Sequence, residues 1–439
     1  MDNYKKRNKR ICLIAEGVLA GIFSGLTASL YRLLLMNSET AFFWILNFIK
    51  GNYLYIILWF CALLGISFIV ARLVRFEGMA ASSGVPQVMG EVNGSFNPCW
   101  WRILLVKFIG GALCIFSGLS LGRSGPSIQI GAMTAKGFSR IRVHTEKQDK
   151  TWEILLISCG AGAGLAATFH APLAGILFVL EGIRRTLDYT VLITGTVAVV
   201  AADLVSVLIF GPATIFSYPA SALPVSDYWL LVPLGILLGF AGAGYNYAMS
   251  KMQDFYQLLK NIPGGLRLAI PFLTSGILAL FLPQVLCGGN VMVKLLTDTH
   301  PALSMLCLLL LVKFLFSILC SGSEVPGGIF FPVLVLGSYL GAVFGSTITA
   351  FLPVSEGLWF QFILLGMAGL FSAIVRTPIT AIILAVELTG SMHCLSDIAI
   401  VSILACITAN LLGSKPFCTS CLERLLAKHG QQTSTAAES

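Results

Sequence analysis

Charge is what this chain has least of. Asp, Glu, Lys and Arg make up 11% of its 439 residues, with 20 acidic against 28 basic side chains, while 56% are hydrophobic. Soluble domains carry about a quarter of their residues charged, so an ordinary soluble fold is excluded and a polytopic membrane protein is expected. Histidine is also sparse. The five present (His144, His170, His300, His393 and His429) form no HExxH pair. Neither Ser83 nor Ser124 has an identifiable base, so no enzyme, metal site or cofactor is expected. Of the 12 cysteines, only Cys418 and Cys421 form a CxxC pair, without nearby partners for metal or redox chemistry. Most of the others lie in apolar segments, where Cys behaves as a small hydrophobe. No basic patch alternates with aromatics, which leaves nucleic acid out as a partner.

A cleavable signal pattern is missing too, because the basic leader (Lys5, Lys6, Arg7, Lys9, Arg10) runs into an apolar stretch too long for a signal core. The leader, 1–10, is expected in the cytoplasm by the positive-inside rule. Arg140, Arg142, Arg184, Arg185, Arg424 and Lys428 add further short basic flanks to a net charge of +8. A polar ending, 426–439, is expected to be a disordered tail with no room for an appended soluble domain.

What remains is apolar. Segments run at about 11–36, 52–75, 101–121, 151–183, 190–211, 226–250, 266–282, 302–320, 328–351, 357–389 and 395–413. Several are interrupted by Gly or Pro after too few residues to span about 30 Å of hydrocarbon. Broken helices are tolerated in a membrane where they line a cavity, and transporters use them to present helix ends to substrate. The fold expected is all-α, with many helices of uneven length over 11–425.

Two interruptions stand out: Gly122-Arg-Ser-Gly-Pro126 and Gly328-Ile-Phe-Phe-Pro332. Each places Gly and Pro where an apolar segment restarts. Pro in a first helical turn gives up only an N–H that had no partner, and Gly lets backbone N–H groups approach a ligand. Free N–H groups and the helix dipole then favour an anion. The two motifs lie 206 residues apart (328 − 122), and Lys107-Phe108, Cys114, Gly131, Gly160, Pro172, Ile176 and Glu181 recur at the same offset as Lys313-Phe314, Cys320, Gly337, Gly366, Pro378, Ile382 and Glu387. The chain is therefore read as a duplication with halves of about 11–211 and 226–413. An inverted arrangement would aim both helix starts at one site. For the buried Lys107, Lys313, Glu181 and Glu387, a functional role and structural pairing both stay open. Arg123 could add positive potential at a pore mouth.

Ser82-Ser-Gly-Val-Pro86, which includes Ser83 and Gly84, and Gly413-Ser-Lys-Pro-Phe-Cys418 repeat the same chemistry. With these four segments and Pro172-Leu-Ala-Gly-Ile-Leu-Phe-Val-Leu-Glu181, the chain resembles the CLC family of chloride channels and proton-coupled chloride transporters over about 12–425. The family patterns GSGIP, GREGP and GxFxP read here as SSGVP, GRSGP and GIFFP. The resemblance implies a homodimer in a lipid bilayer, the cell membrane of a bacterium (its inner membrane), with one pore per subunit. Chloride is the implied ion, with other halides as alternatives. By position, Ser83 would offer its hydroxyl and Ile329 and Phe330 their N–H groups to a central anion, with Ser124, Gly125 and Cys418 as further anion-binding positions, within a frame set by Gly84, Pro86, Gly122, Arg123, Pro126, Gly328 and Pro332. Serine at position 83 is similar to chloride-preferring members, whereas Pro there goes with nitrate preference.

Three positions depart from the pattern. The family's gating glutamate is Ser124, the inner glutamate of coupled exchangers aligns with Gly182, and the pore tyrosine aligns with Cys418. A hydroxyl does not titrate near neutrality but can donate to an anion. A passive, chloride-selective pathway without proton coupling is therefore expected. The alternatives are an exchanger that uses Glu181, Asp203 or Glu324, or a fluoride-specific transporter. An open leak would dissipate the membrane potential, so a low conductance or a second gate at Phe330, Phe331 or Phe417 is also expected.

Overall fold

The computed structural model describes residues 2–49, 51–142, 150–216, 220–351 and 358–437, with side chains described from 12 to 141 and from 150 to 428 within those ranges. Seventeen α-helices account for most of them. The first eight are α1 (Asp2–Ile49), α2 (Tyr53–Phe76), α3 (Val85–Val92), α4 (Trp100–Phe116), α5 (Ser124–Arg142), α6 (Lys150–Phe169), α7 (Pro172–Phe178) and α8 (Tyr189–Phe210). The next eight are α9 (Leu231–Leu258), α10 (Gly264–Phe281), α11 (Asn290–Asp298), α12 (Leu303–Gly322), α13 (Phe330–Phe351), α14 (Trp359–Val375), α15 (Pro378–Thr389) and α16 (Leu395–Leu411), and α17 (Phe417–Ala437) closes the chain. Among the described residues, nine helical spans are long and apolar enough to cross a membrane.

The breaks fall where backbone chemistry requires them. The apolar run expected at 151–183 divides into α6 and α7, and the run at 357–389 into α14 and α15. At each break a residue adopts a left-handed backbone, His170 (φ 54) and Arg376 (φ 64), and a proline two residues on starts the next helix. These positions are again 206 apart (376 − 170). The short α11 was not anticipated from hydropathy, because nine residues leave too small an apolar run. Helix α1 runs from Asp2 to Ile49, beyond the apolar run at 11–36, and α17 runs from Phe417 to Ala437. Once a helix is nucleated, propagation through Gln, Thr, Ser and Ala adds a bond for each residue fixed. The side chains of the leader, of His144 and of His429 lie outside the described residues.

The two halves pack alike. Helix α5 lies on α6 as α13 lies on α14; α1 on α8 as α9 on α16; α6 on α8 as α14 on α16. In each half the first of these crossings includes a close contact of glycine on glycine. A Cβ at Gly131 would sit 2.2 Å from the Gly160 carbonyl oxygen, and one at Gly337 would sit 2.4 Å from that of Gly366.

Contacts between the halves are reciprocal, as a two-fold relation demands. The Glu387 carboxylate accepts from the N–H groups of Leu173 (3.0 Å) and Ala174 (2.8 Å) at the start of α7. Glu181 does the same for Ile379 (3.1 Å) and Thr380 (2.8 Å) at the start of α15, and also accepts from the Thr380 hydroxyl. Each half caps the other's short helix. Gly122 and Gly328, counterparts of one another, exchange N–H···O bonds of 2.6 and 2.8 Å as an antiparallel bridge. A residue that pairs with its own repeat partner marks the two-fold axis.

The repeat is inverted. Helix α5 leaves the centre toward Glu91 and Glu153, which pair with its Lys136 and Arg140. That end also holds Glu16 of α1, which accepts from Trp152. Helix α13 leaves along α11, with the Tyr339 hydroxyl donating to the Met292 carbonyl (3.0 Å). Asn290, which begins α11, donates to Glu39 (2.9 Å) on the far part of α1. Glu16 and Glu39 are 23 residues apart on one helix (39 − 16), about 35 Å.

Substituting Gly131→Val should abolish or severely weaken folding, because the obstruction is backbone and not a side chain that can yield; overpacking costs at least about 1–3 kcal/mol. Thermal unfolding in detergent checks this, with Gly65→Ala, which has open space around its Cβ, expected to stay within about 1 kcal/mol of the native protein.

Candidate anion pathway

Three helix starts converge on the two-fold axis. A Cβ added to Gly125 would lie 2.9 Å from both the Ser83 carbonyl oxygen and the Ser83 Cβ, and 3.3 Å from the Gly328 Cα. The segments SSGVP, GRSGP and GIFFP therefore touch, and only glycine fits between them. In each, the first helical hydrogen bond starts late: Val88 N–H to Gly84, Ser127 N–H to Arg123, Val333 N–H to Ile329. The N–H groups of Ile329 and Phe330 have no backbone partner among the described residues, and those of Ser124 and Gly125 have none either. The helix dipoles reinforce the positive potential at this point.

Hydroxyls complete the lining. Ser83, Ser120, Ser124 and Ser127 are fully buried, and the Oγ of each lacks a hydrogen-bond partner. Buried polar atoms in native proteins are almost always satisfied, so a group left open needs an explanation. Donors from both backbone and side chain, with no carboxylate among them, have the chemistry that suits a small anion.

The Ser83 loop is held from behind. The Lys107 ammonium donates to the Ser82 carbonyl (2.7 Å), the Gln87 amide to Ala81 (2.9 Å) and the Gln129 amide to Met79 (2.8 Å). Gly84 turns the chain into α3 with φ 90, and a side chain there would collide with Gln129. The other repeat does the same: Lys313 donates to Val285 (2.8 Å) and Cys287 (2.9 Å), and Gly289 opens α11 with φ 107. The paired lysines, for which two roles stood open, brace loops.

Cavities approach from both ends. Toward the Glu16 end, a cavity of about 490 Å³ is lined by Ala81, Ser82, Pro86, Gln87, Glu324 and Lys428, among others. Toward the Glu39 end, one of about 370 Å³ is lined by Arg32, Glu39, Arg123, His170, Asn290 and others. The motif cluster sits between them.

Other expected residues fall as follows. Cys418 is buried in the first turn of α17, which packs on α3, and makes no hydrogen bond to Ser83 among the described residues. Phe417 borders a separate groove of about 570 Å³ with Asn246, Tyr247 and Cys421. Gly182 lies in a π-helical turn, Val179–Arg184, where a Cβ would meet the Phe178 ring at 2.8 Å. That ring stands edge-on to Phe330 (5.6 Å), which is also edge-on to Phe371 (5.1 Å). Phe331 packs near Phe216 (5.9 Å) instead. Of the acids, Glu181 is engaged at α15, Asp203 pairs with His170 (2.8 Å), and Glu324 pairs with Lys428 (2.6 Å) beside the Glu16-end cavity. Sequence reading missed Gln87, Gln129 and Arg32. Only their polarity inside apolar segments could have drawn attention to them.

The sequence profile of the family described as voltage gated chloride channel matches residues 62–410. The H(+)/Cl(-) exchange transporter ClcA of Vibrio cholerae serotype O1 is 36% identical over 432 residues, covering 93% of this chain and 88% of the relative. The transporter of the same name from Citrobacter koseri is 32% identical over 380 residues, covering 83% and 77%. Among solved structures, a slow cyanobacterial Cl-/H+ antiporter superposes with a TM-score of 0.89 at 27% identity, over 95% of this chain and 99% of its own. A CLC-type fluoride/proton antiporter shares the fold (TM-score 0.76, 21% identity, 91% and 96% covered).

Lys107→Met keeps the length of the side chain but leaves the Ser82 carbonyl without its donor. The variant should lose about 1–3 kcal/mol of stability and bind bromide more weakly by isothermal titration. Unchanged bromide affinity would show that the lysine does not position the Ser83 loop.

Proposed function

This chain belongs to the voltage gated chloride channel family, and on that premise we propose that it carries chloride across a membrane past Ser83, Ser124 and the N–H groups of Ile329 and Phe330. The observation that carries the reading is the convergence of three uncapped helix starts on unpartnered buried hydroxyls. Partial charges suit transport, because a full cation at the centre would hold chloride too tightly for release. Gly84, Pro86, Gly122, Gly125, Pro126, Gly328 and Pro332 shape the pathway, and Cys418 borders it from α17. In the same reading the protein works as a homodimer with one pathway per subunit, in a bacterial inner membrane, with its basic leader in the cytoplasm.

Two readings divide on the proton. The uncoupled one rests on Ser124 and Gly182, which put no carboxylate at the gate or the inner position. Glu181 is no replacement, since its oxygens serve α15. The names of the relatives speak for the second, chloride/proton exchange. That reading requires a different acid, and Asp203 beside the Glu39 end and Glu324 beside the Glu16 end are the residues available to it. Liposome fluxes with chloride and pH gradients imposed separately decide between them. An uncoupled protein reverses at the chloride Nernst potential whatever the pH gradient, whereas proton uptake driven by chloride establishes exchange.

Ser124→Glu restores a carboxyl at the gate. Its ionised form competes with chloride for the outer site, so chloride flux should be high when the group is protonated and fall as pH rises through its pKa, about 4–6 for a carboxyl beside anions. The native protein lacks that group and should show a flat profile from this position. A pH-independent flux in the variant would place Ser124 outside the pathway.

A further inference from the structure

The cavity at the Glu39 end contains two cations that nothing in the protein uses. Arg32 on α1 stacks its guanidinium 3.9 Å from the centre of the Phe210 ring at the end of α8. Arg123, next to the first residue of α5, lies 5.6 Å from the centre of the Phe331 ring. Stacking uses the face of a guanidinium and leaves its five N–H donors free in the plane. Neither arginine donates a hydrogen bond or joins an ion pair among the described residues, and the Nε of each is buried without a partner. Both line the same cavity of about 370 Å³, and their charges act on one another.

Glu39 is the acid closest to offering compensation, and it falls short. Its field reaches Arg123, but its hydrogen bond is from Asn290 (2.9 Å) and it forms no ion pair with either arginine. His170, on the same wall, is tied to Asp203 (2.8 Å). Two guanidinium groups, each beside an aromatic ring and both lining one cavity, repel each other until an anion comes between them.

We propose that Arg32 and Arg123 form a second anion site in this cavity, one that holds a chloride or another small inorganic anion before it enters the buried Ser83–Ser124 site. The inference rests on the chloride-transport reading for the role of the site, though not for its existence. Full charges are tolerable here because the cavity is wide and open to water, which keeps the anion loosely held. Arg123 alone would only bias the entrance. Arg32, reaching from a different helix, converts the bias into a two-sided site.

The test has two arms on the full chain. Crystals of the native protein soaked in bromide should show an anomalous peak between the two guanidinium groups, and Arg32→Gln, which keeps the stem on Phe210, should lose it. In oriented proteoliposomes at fixed ionic strength, Arg32→Gln should raise the half-saturating chloride concentration about three- to tenfold on the Glu39 side and leave the opposite side unchanged. Arg32→Lys should recover part of the loss. A native crystal without the peak, a peak that survives Arg32→Gln, or an unchanged half-saturation overturns the proposal. Native liposomes that move no chloride would instead sink the transport reading, and the bromide peak would still decide whether the site exists.

Discussion

A helix that begins inside a membrane leaves N–H groups that neither water nor a preceding turn can satisfy, and this fold begins several helices there. The protein resolves the problem in two ways. At α7 and α15 the free groups are taken by Glu387 and Glu181, each reaching across from the other repeat. At α3, α5 and α13 no carboxylate arrives. Those three starts face one another beside serine hydroxyls that are also open. The contrast is informative because the same chain shows that it can cap such a terminus when it must. On the proposed reading, an uncapped cluster on the two-fold axis suits an anion that comes and goes, since a fixed carboxylate would occupy it permanently.

Duplication makes this economical. The Gly122–Gly328 bridge joins a residue to its own counterpart, so any donor set built at one helix start is automatically opposed by its image. The symmetry ends at the side chains. Ser124 in one half is matched by Phe330 in the other, so one half offers a hydroxyl and the other an aromatic ring with its backbone donors. The ring of Phe330 is held by Phe178 and Phe371, and Gly182 gives Phe178 the room to stand there. A larger residue at 182 would push on Phe178 and through it on Phe330. The absence of an inner carboxylate and the packing of the anion site are thus one feature, not two.

Much of this was legible in residue types and spacing. The 206-residue offset and the Gly and Pro positions follow from local chemistry that leaves a trace in the string, whereas the breaks after Phe169 and Val375 fall inside runs that hydropathy alone reads as continuous. The reciprocal capping by Glu181 and Glu387 did not follow. The offset revealed that the two acids correspond, but only the inverted arrangement shows that each serves the other half. Helix α11 escaped notice because nine residues carry too little hydropathy to register, although Gly288-Gly289 marked its start. Arg32 was invisible for a different reason: nothing in the sequence says that α1 brings it to the wall that Arg123 lines.

On the chloride-transport reading, the distribution of charge suits passage more than tight binding. An anion that stops for long is an inhibitor, so the deepest point should attract without gripping. Around Ser83 the protein offers dipoles and hydroxyls. The nearby ammonium of Lys107 donates to the Ser82 carbonyl, where it orders the loop. Farther out, Arg123 and Arg32 carry full positive charge without an ion-pair partner among the described residues, at a cavity where water can compete with it. Attraction is strongest in effect where desolvation is least and weakest where the ion has lost most of its water, which keeps the free energy along the path shallow. A carboxylate at position 124 would interrupt such a profile with a titratable barrier. On the uncoupled reading proposed above, serine there removes that barrier and leaves donors from the Glu39-end cavity to the Ser83 loop.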